Sequence, residues 1–330
     1  MKALIKELVE AYGPSGSEGP VREIIRRHVA PLCDECRVDT MGNLIAHKKG
    51  SGGKKVMLAA HMDEIGVIVT HVDEKGFLRF TGIGGVNPWT LLGGRVLFAN
   101  GIKGVIGREQ PKSPDDKPSL EKMFIDVGAT SKADVPVGVG DVACFDRPLA
   151  DLGKRLVAKA FDDRIACAIL VQVLRELAQT PHDLYFCFTV QEEVGLRGAH
   201  TSTYGVEPEI GIAVDVTIAA DAPEGPHMNM ELGKGPCIKV KDGGMLAHPG
   251  VKNLMVDTAQ RLGLPYQLEV LTGGTTDAMA MQLSRAGVAA GTVSVATRYV
   301  HTPSEMVDYD DVLNSVKLIT GMLSAPIELG

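Results

Sequence analysis

Short apolar runs bounded by polar residues are the main pattern of this chain, and they predict the buried strands of an α/β sheet. Amphipathic helical spacing fills the first 30 residues, is broken at Gly13-Pro14-Ser15-Gly16, and returns only after residue 160. Further helices are predicted at 251–262, 277–286 and 309–323. Because strands and helices alternate outside the middle of the chain, we expect one α/β layered domain there.

Between residues 67 and 152 the pattern changes to short β-branched runs separated by glycine-rich turns. Many short strands at such spacing indicate a separate β-rich unit. We therefore predict a domain formed by residues 1–66 and 153–330, with the β-rich unit 67–152 inserted into it. The length of 330 residues agrees with this division, since it exceeds the usual size of one compact core.

Five candidate metal ligands follow strand-like apolar runs that are far apart in the chain: His61, Asp162, Glu193, Asp215 and His301. In an open α/β sheet, side chains beyond the carboxyl ends of the strands face one crevice, so residues distant in sequence can meet there. Two imidazoles and three carboxylates in one crevice predict a site for two divalent cations. Zinc, cobalt and manganese all accept this combination of ligands.

Three of these segments also have a structural interpretation when each is considered alone. His61 could be a solvated loop histidine, although Asp63 stands where its carboxylate could accept the second ring N–H. Asp162 could cap the helix that follows it. Glu193 could lie with Glu192 in a solvated turn. Their joint placement after buried strands favours the metal-site hypothesis.

The acids at positions 162, 163 and 215 have a physical argument of their own. Of the adjacent Asp162 and Asp163, one could bridge two cations while the other tethers the loop or a nearby ligand. Arg164 could pair with whichever of the two does not bind metal. Asp215 interrupts an apolar stretch, where a buried carboxylate is costly unless it is paired or bound to metal.

Composition limits the partners and the location. The net charge of −7 argues against nucleic acid and anionic membranes as main partners. The first ten residues lack the pattern of a secretory signal, and no stretch reaches the roughly 20 apolar residues of a membrane span. Among six scattered cysteines only Cys33 and Cys36 have metal or redox spacing, without the second pair that a zinc site needs. We expect a soluble cytoplasmic protein.

Seven short segments spread over nearly the whole chain carry these polar residues and their glycines: Tyr12-Gly13-Pro14-Ser15-Gly16, His61-Met62-Asp63-Glu64-Ile65-Gly66, Asp162-Asp163-Arg164, Gln191-Glu192-Glu193-Val194-Gly195, Val214-Asp215-Val216, Gly273-Gly274-Thr275-Thr276-Asp277-Ala278 and His301-Thr302-Pro303-Ser304-Glu305. Together they closely resemble the co-catalytic metallo-aminopeptidases. More narrowly, they resemble the glutamyl aminopeptidase and tetrahedral (TET) aminopeptidase family, some members of which carry the name cellulase M or endoglucanase.

The resemblance implies a three-layer, mixed-sheet α/β metallopeptidase domain of the phosphorylase/hydrolase-like type, with an inserted β-barrel-like dimerisation domain. It also implies two divalent cations per subunit, zinc or cobalt, with manganese as the alternative. Asp162-Asp163 would be a cis peptide. The resemblance assigns Asp162 as the bridge between both cations, His61 and Asp215 to one, Glu193 and His301 to the other, Asp63 as the residue that orients His61, and Glu192 as general acid and base.

The activity implied is removal of N-terminal residues from short peptides, with Glu192 acting on a water shared by the cations. An endoglucanase-type glycoside hydrolase could instead use Glu192 and Glu193 as acid and nucleophile. Aromatic residues make up only 5%, however, and Trp89 is the sole tryptophan. A third interpretation is a non-catalytic metal-binding or assembly protein. For the insert, the resemblance implies dimers that build a twelve-subunit shell, while a lid or size filter fits the sequence equally well.

Overall fold

The computed structural model describes all 330 residues and contains seven α-helices and 17 strands. The helices are α1 (Lys2–Glu10), α2 (Gly19–Val29), α3 (Phe161–Glu176), α4 (Arg197–Val206), α5 (Pro249–Arg261), α6 (Asp277–Gln282) and α7 (Tyr309–Leu323). The strands are β1 (Glu35–Val38), β2 (Leu44–Lys48), β3 (Lys55–His61), β4 (Gly66–Val72), β5 (Leu78–Ile83), β6 (Arg95–Phe98), β7 (Lys103–Arg108), β8 (Met123–Asp126), β9 (Val142–Phe145), β10 (Ala150–Asp151), β11 (Arg155–Ala158), β12 (Asp183–Thr189), β13 (Ile210–Ile218), β14 (Cys237–Lys241), β15 (Gln267–Val270), β16 (Ala289–Arg298) and β17 (Glu305–Asp308).

A mixed sheet of 11 strands forms the centre of the main domain, in the order β1-β2-β12-β3-β13-β16-β17-β11-β10, with β14 and β15 added beside β16. Its four central strands, β12, β3, β13 and β16, run parallel to one another. The outer strands β2 and β17 pair antiparallel with their neighbours. The carboxyl ends of the four parallel strands therefore share one edge of the sheet.

Both faces of this sheet are buried, because successive side chains of the central strands point into different apolar clusters. In β3, Val56 and Leu58 belong to the apolar cluster that includes residues of α1, α2, α3, α5 and α7, whereas Met57 and Ala59 belong to the cluster that includes residues of α4 and α6. Helices thus cover the sheet on both sides. The predicted three-layer mixed-sheet α/β fold is confirmed.

Strands β4 to β9 leave the sheet and close into a separate barrel in the order β4-β5-β8-β7-β6-β9. The barrel has its own apolar core, to which Val67, Phe80, Val96 and Ile125 contribute. The predicted inserted barrel is therefore present between Gly66 and Phe145. The chain has rejoined the large sheet by Ala150, where β10 pairs with β11. The boundaries at 67 and 152 stay a prediction. None of the helices is both long enough and apolar enough to cross a membrane.

Arg164, in the first turn of α3, ties that helix to the N-terminal segment. Its side chain is fully buried and donates to the backbone oxygens of Leu8, Ala11, Gly13 and Met62. Its ion-pair partner is Glu64, at 2.8 Å, which also pairs with the buried Lys159. The expected pairing of Arg164 with one of the two adjacent aspartates is therefore wrong. An arginine can reach several carbonyls at once through its fork of donors, and the broken end of α1 offers them.

Candidate active site

The five candidate ligands and Glu192 meet at the carboxyl edge of the four parallel strands. They are positioned as follows: His61 is the last residue of β3, Asp162 lies at the start of α3, Glu192 and Glu193 follow β12, Asp215 lies within β13, and His301 lies in the turn between β16 and β17. The expectation that Asp215 stands beyond a strand differs from the structure. Strand β13 continues to Ile218 because its β-branched residues stay paired with β16.

Asp162 faces both imidazoles, one with each carboxylate oxygen. Its Oδ1 lies 3.0 Å from Nε2 of His61, and its Oδ2 lies 3.2 Å from Nε2 of His301. Asp215 lies on the His61 side, with its Oδ1 4.0 Å from Nε2 of His61. Glu193 lies on the other side, with Oε2 3.2 Å from Nε2 of His301. The cluster therefore has two halves joined by one carboxylate.

The donor set fits divalent cations. Ligand atoms of His61, Asp162 and Glu193 lie within 4.8 Å of one another, as do those of His61, Asp163 and Asp215. Oε1 of Glu193 is buried and has no hydrogen-bond partner, although such an oxygen usually has one. Imidazole and carboxylate ligands together suit zinc, cobalt and manganese.

The charge in the cluster also favours cations. Burial raises the pKa of Asp215 to about 8, with added repulsion from Asp162. Burial and repulsion from Asp162 also raise the pKa of Glu193. The pKa of His301 rises to about 12 because hydrogen bonds with Asp162 and Glu193 outweigh its burial. The cluster thus contains more buried negative charge than two imidazoles balance, and bound cations would supply the missing positive charge.

Glu192 lies beside the cluster rather than within its hydrogen bonds. Its Oε2 is 3.9 Å from Nε2 of His61. Burial raises its pKa well above the usual range, and repulsion from Asp215 acts in the same direction against the attraction of His61. A carboxyl group with a raised pKa, close to the candidate ligands and facing a cavity, has the properties of a general base.

Asp63 supports the cluster, but not through the predicted atom. Nδ1 of His61 lies 3.1 Å from the backbone oxygen of Asp63, and its distance to the carboxylate is 3.5 Å. The carboxylate accepts hydrogen bonds instead from the backbone N–H groups of Glu192 and Glu193. The contact between His61 and Asp63 is therefore made by the main-chain oxygen, and the orienting role of Asp63 stays a prediction.

Two further carboxylates hold the ligand backbones. Asp163 accepts the backbone N–H of His61 at 3.1 Å, which agrees with the tethering role considered for one of the adjacent acids. Glu305 accepts the N–H groups of Asp162 at 2.9 Å and His301 at 3.0 Å, a role that the sequence did not suggest. The sequence did contain a signal for this role, since Glu305 lies directly after the turn that carries His301. The Asp162-Asp163 peptide is cis, as expected.

A cavity of about 660 Å³ opens above the cluster. All five candidate ligands and Glu192 line it, and its other walls include Ile218, Lys239, Leu271 and Tyr299. Gly85, from the barrel, closes one side. A cavity of about 760 Å³ beside Trp89 and the 111–118 loop contains no imidazole, so it lacks the chemistry of the first. The smaller cavity is the candidate active site.

The fold and this site together define a hydrolytic enzyme of the α/β class. Comparison with protein families narrows the class further. Residues 42–318 match the M42 glutamyl aminopeptidase family, and the chain belongs to that family.

Named relatives cover nearly the whole chain. A protein of Acetivibrio thermocellus is 46% identical over 318 residues, 96% of each chain. The lysyl aminopeptidase of Pyrococcus furiosus is 36% identical over 97% of this chain and 96% of its own. The glutamyl aminopeptidase of Lactococcus lactis is 31% identical over 97% and 95%. Because these two names refer to different N-terminal residues, family membership does not fix the preferred residue.

Solved structures give the same result. The aminopeptidase APDkam598 of Desulfurococcus kamchatkensis has a TM-score of 0.95 and 43% identity, over 98% of this chain and 94% of that one. The dodecameric PhTET1 has a TM-score of 0.89 and 31% identity, over 98% of each chain. A Thermotoga maritima protein named endoglucanase has a TM-score of 0.83 and 34% identity, over 97% and 96%. Because the matched family and the other named relatives are aminopeptidases, the glycoside hydrolase and non-catalytic alternatives are wrong, and the resemblance seen in the sequence is confirmed.

Proposed function

We propose that the chain is a metal-dependent aminopeptidase that hydrolyses N-terminal residues from short peptides, with Glu192 as the general base. One observation supports this most directly. Asp162 directs one oxygen to His61 and the other to His301, so that a single carboxylate joins two groups of potential ligands. This is the arrangement expected of a site for two neighbouring cations.

We assign Asp162 as the bridging ligand, His61 and Asp215 to one cation, and Glu193 and His301 to the other. The cations would be zinc or cobalt, with manganese also suited to these ligands. When bound, they would activate water and stabilise negative charge on the peptide oxygen. The two halves of the cluster lie on either side of Asp162, which supports this division of the ligands.

Glu192 then moves the proton. Its carboxylate accepts a proton from the attacking water as the new C–O bond forms. It donates that proton to the departing nitrogen as the peptide C–N bond breaks, and the products are an amino acid and a shortened peptide. The raised pKa of Glu192 suits both steps, because a base must hold the proton before it returns it.

Matched substitutions of the adjacent glutamates test this division of roles. Glu192→Gln should retain two cations per chain and lose about 10²- to 10⁴-fold in kcat. Glu193→Gln should lose cation affinity, since it removes a ligand. Glu74→Gln, whose side chain is 87% exposed on the barrel, is the control and should behave as wild type. Metal content by mass spectrometry and hydrolysis of aminoacyl anilides are the measurements. A metal-depleted Glu192→Gln protein would contradict the assignment.

The substrate class is tested by a panel of aminoacyl anilides that includes lysyl, glutamyl and leucyl derivatives. We expect cleavage of at least one, and loss of that cleavage on chelation. Carboxymethylcellulose is the negative control. Peptides with a blocked N-terminus should not be cleaved, since an aminopeptidase acts on a free amine. Cleavage of blocked peptides at the wild-type rate would overturn the assignment as an aminopeptidase.

We also propose that the inserted unit, residues 67–152, mediates dimerisation and that the dimers assemble into a homododecamer. The support is the likeness to dodecameric PhTET1, together with large apolar side chains exposed in and beside the barrel: Trp89, Leu92, Val139 and Leu152. Light scattering should give about twelve times the 35.1 kDa of one chain. A strict monomer would refute the assembly.

A cytoplasmic location is proposed on the state of the cysteines. All six are free, including Cys33 and Cys36, which have redox spacing. Burial raises the pKa of Cys33 to about 11, so its thiol is less reactive than an exposed one. Free thiols are typical of a reducing compartment. Cell fractionation tests the location, and recovery from the extracellular fraction alone would refute it.

A further inference from the structure

The turn that carries both glutamates has three successive backbone N–H groups bound by carboxylates from elsewhere in the chain. The N–H of Glu192 donates to Oδ1 of Asp63 at 3.0 Å, and that of Glu193 donates to Oδ2 at 3.2 Å. The N–H of Gln191, one residue earlier, donates to Oε1 of Glu18 at 3.1 Å. The turn is thus held from two directions, and one of them is the N-terminal segment.

Both of these carboxylates depend on residues 15–18. Oε1 of Glu18 also accepts the N–H of Gly16 at 2.7 Å, which fixes the side chain within its own turn. The hydroxyl of Ser15 donates to Oδ2 of Asp63 at 2.6 Å. Ser15 and Glu18 are buried, although the segment precedes α2 at the protein surface. These contacts give a role to the Tyr12–Gly16 segment that the proposed chemistry does not use.

Helix capping does not explain the position of the buried Glu18 side chain. Glu18 occupies the N-cap position of α2, where a side-chain oxygen usually accepts an N–H of the first helical turn. Its carboxylate makes no such bond. Burial raises its pKa, because a buried position disfavours the charged carboxylate. The side chain is directed away from its own helix and toward Gln191.

The backbone at Gln191 needs such a contact. Its φ is +55°, a left-handed conformation that is uncommon for residues other than glycine. Such a conformation persists only where surrounding contacts impose it. Because Gln191 immediately precedes Glu192, a change in its dihedral angles would redirect Glu192, whereas the side chain of Glu193 is also held by His301 at 3.2 Å. The direction of the turn is set at Gln191. The hydrogen bond from the N–H of Gln191 to Glu18 fixes that residue in position.

We propose that Glu18 is a positioning residue that fixes the direction of the Glu192 side chain, beside Asp63, which Ser15 supports. This inference rests on the proposed role of Glu192 as general base. Glu18 does not touch the candidate ligands and acts only through the backbone of Gln191. Its loss should therefore affect the rate of the chemical step more than the binding of substrate or cations.

Substitution of Glu18 tests the inference through kcat and KM. Glu18→Ala should lower kcat by about 10- to 100-fold, because misplacing a reacting group by around 1 Å costs that much. KM should change less than about twofold, and two cations should stay bound. Glu18→Gln keeps an oxygen acceptor and should restore most of kcat. The control is Glu23→Ala, a carboxylate of the same helix whose side chain is 56% exposed.

Amide hydrogen exchange tests the contact separately from catalysis. Peptides that cover residues 190–196 should lose protection in Glu18→Ala and in Ser15→Ala, and keep it in Glu18→Gln and Glu23→Ala. Lost protection with wild-type kcat would overturn the positioning role and leave the role of Glu192 intact. Unchanged protection would overturn the contact itself. A wild-type protein without peptidase activity would instead overturn the proposed function, and the inference with it.

Discussion

Gly85→Ala is a direct test of how the inserted barrel contributes to the active site. Gly85 lies in the loop after β5 and lines the cavity. A Cβ atom at this position would lie 2.3 Å from Nδ1 and 2.8 Å from Cε1 of His301. The φ of Gly85 is not positive, so alanine is compatible with the backbone. The contact with the imidazole is then the main consequence of the substitution.

The size of the clash sets the expected effect. Carbon and nitrogen atoms in ordinary contact are about 3.5 Å apart, so the ring or the loop must move by about 1 Å. His301 is held by Asp162 and Glu193, each at 3.2 Å from its Nε2, and both distances change if the ring moves. A displacement of about 1 Å at a catalytic group costs on the order of 100-fold in rate. We expect a similar loss in kcat/KM and weaker binding of the cation assigned to His301.

The assay compares Gly85→Ala with Gly138→Ala. Gly138 is also a barrel glycine without positive φ, but an added Cβ would meet nothing within 4 Å. Cation binding is measured by competition with a chromophoric chelator, activity with the best anilide substrate, and folding by thermal unfolding. We expect Gly138→Ala to match wild type. A Gly85→Ala protein with two cations at wild-type affinity and full activity would refute the argument that the barrel loop fixes His301.

Three further predictions follow from the buried charges. Glu305→Gln should weaken cation binding by about 10- to 100-fold in the same competition assay, because one of the amides of Asp162 and His301 loses its acceptor. Unchanged affinity would contradict this. Arg164→Leu should destabilise the fold by about 3 to 5 kcal/mol in urea unfolding, since it leaves Glu64 and several carbonyls with fewer partners; a loss below about 1 kcal/mol would argue against it. Cation affinity should rise with pH from 6 to 8 and continue to rise above 8, because the imidazole of His301, whose pKa is raised to about 12, must also lose a proton to bind a cation. The pKa of Asp215, raised to about 8, means that a proton occupies this carboxylate below that pH and must be displaced. Constant affinity between pH 6 and pH 8 would refute the competition.

Regular elements with one dominant apolar pattern could be predicted from the sequence closely. The predicted helix at 309–323 has the bounds of α7, and the one at 251–262 differs from α5 by one or two residues. The helix predicted at 277–286 ends at Gln282 instead. Leu283, which extended the apolar pattern, is 64% exposed, and Arg285 adopts a left-handed conformation that ends the helix. Apolar spacing alone does not show which face is covered.

The close approach of the candidate ligands could be predicted because the geometry of a parallel sheet determines where its strands end. Parallel strands bring their ends to one edge, so His61 and Glu193 become neighbours although they lie 132 positions apart in the chain. The contacts of Glu18 and Gly85 have no such basis. Each contact depends on the path of an irregular loop and on a partner more than 100 residues away, Gln191 for Glu18 and His301 for Gly85. Neither contact produces a periodic pattern in the sequence.

The number of buried acids in the site does not equal the number of ligands, and the backbone contacts explain the excess. Asp63, Asp163 and Glu305 use their oxygens to accept main-chain N–H groups of the residues assigned as ligands and base. A cation site needs its ligands fixed in position, and a buried carboxylate can fix two amides at once. The additional buried carboxylates therefore keep the turns that carry the ligands rigid, and the extra negative charge accompanies that role. It follows that removing an outer carboxylate should disorder the ligand backbone as well as change the local charge, so a neutral acceptor at the same position should restore more function than alanine.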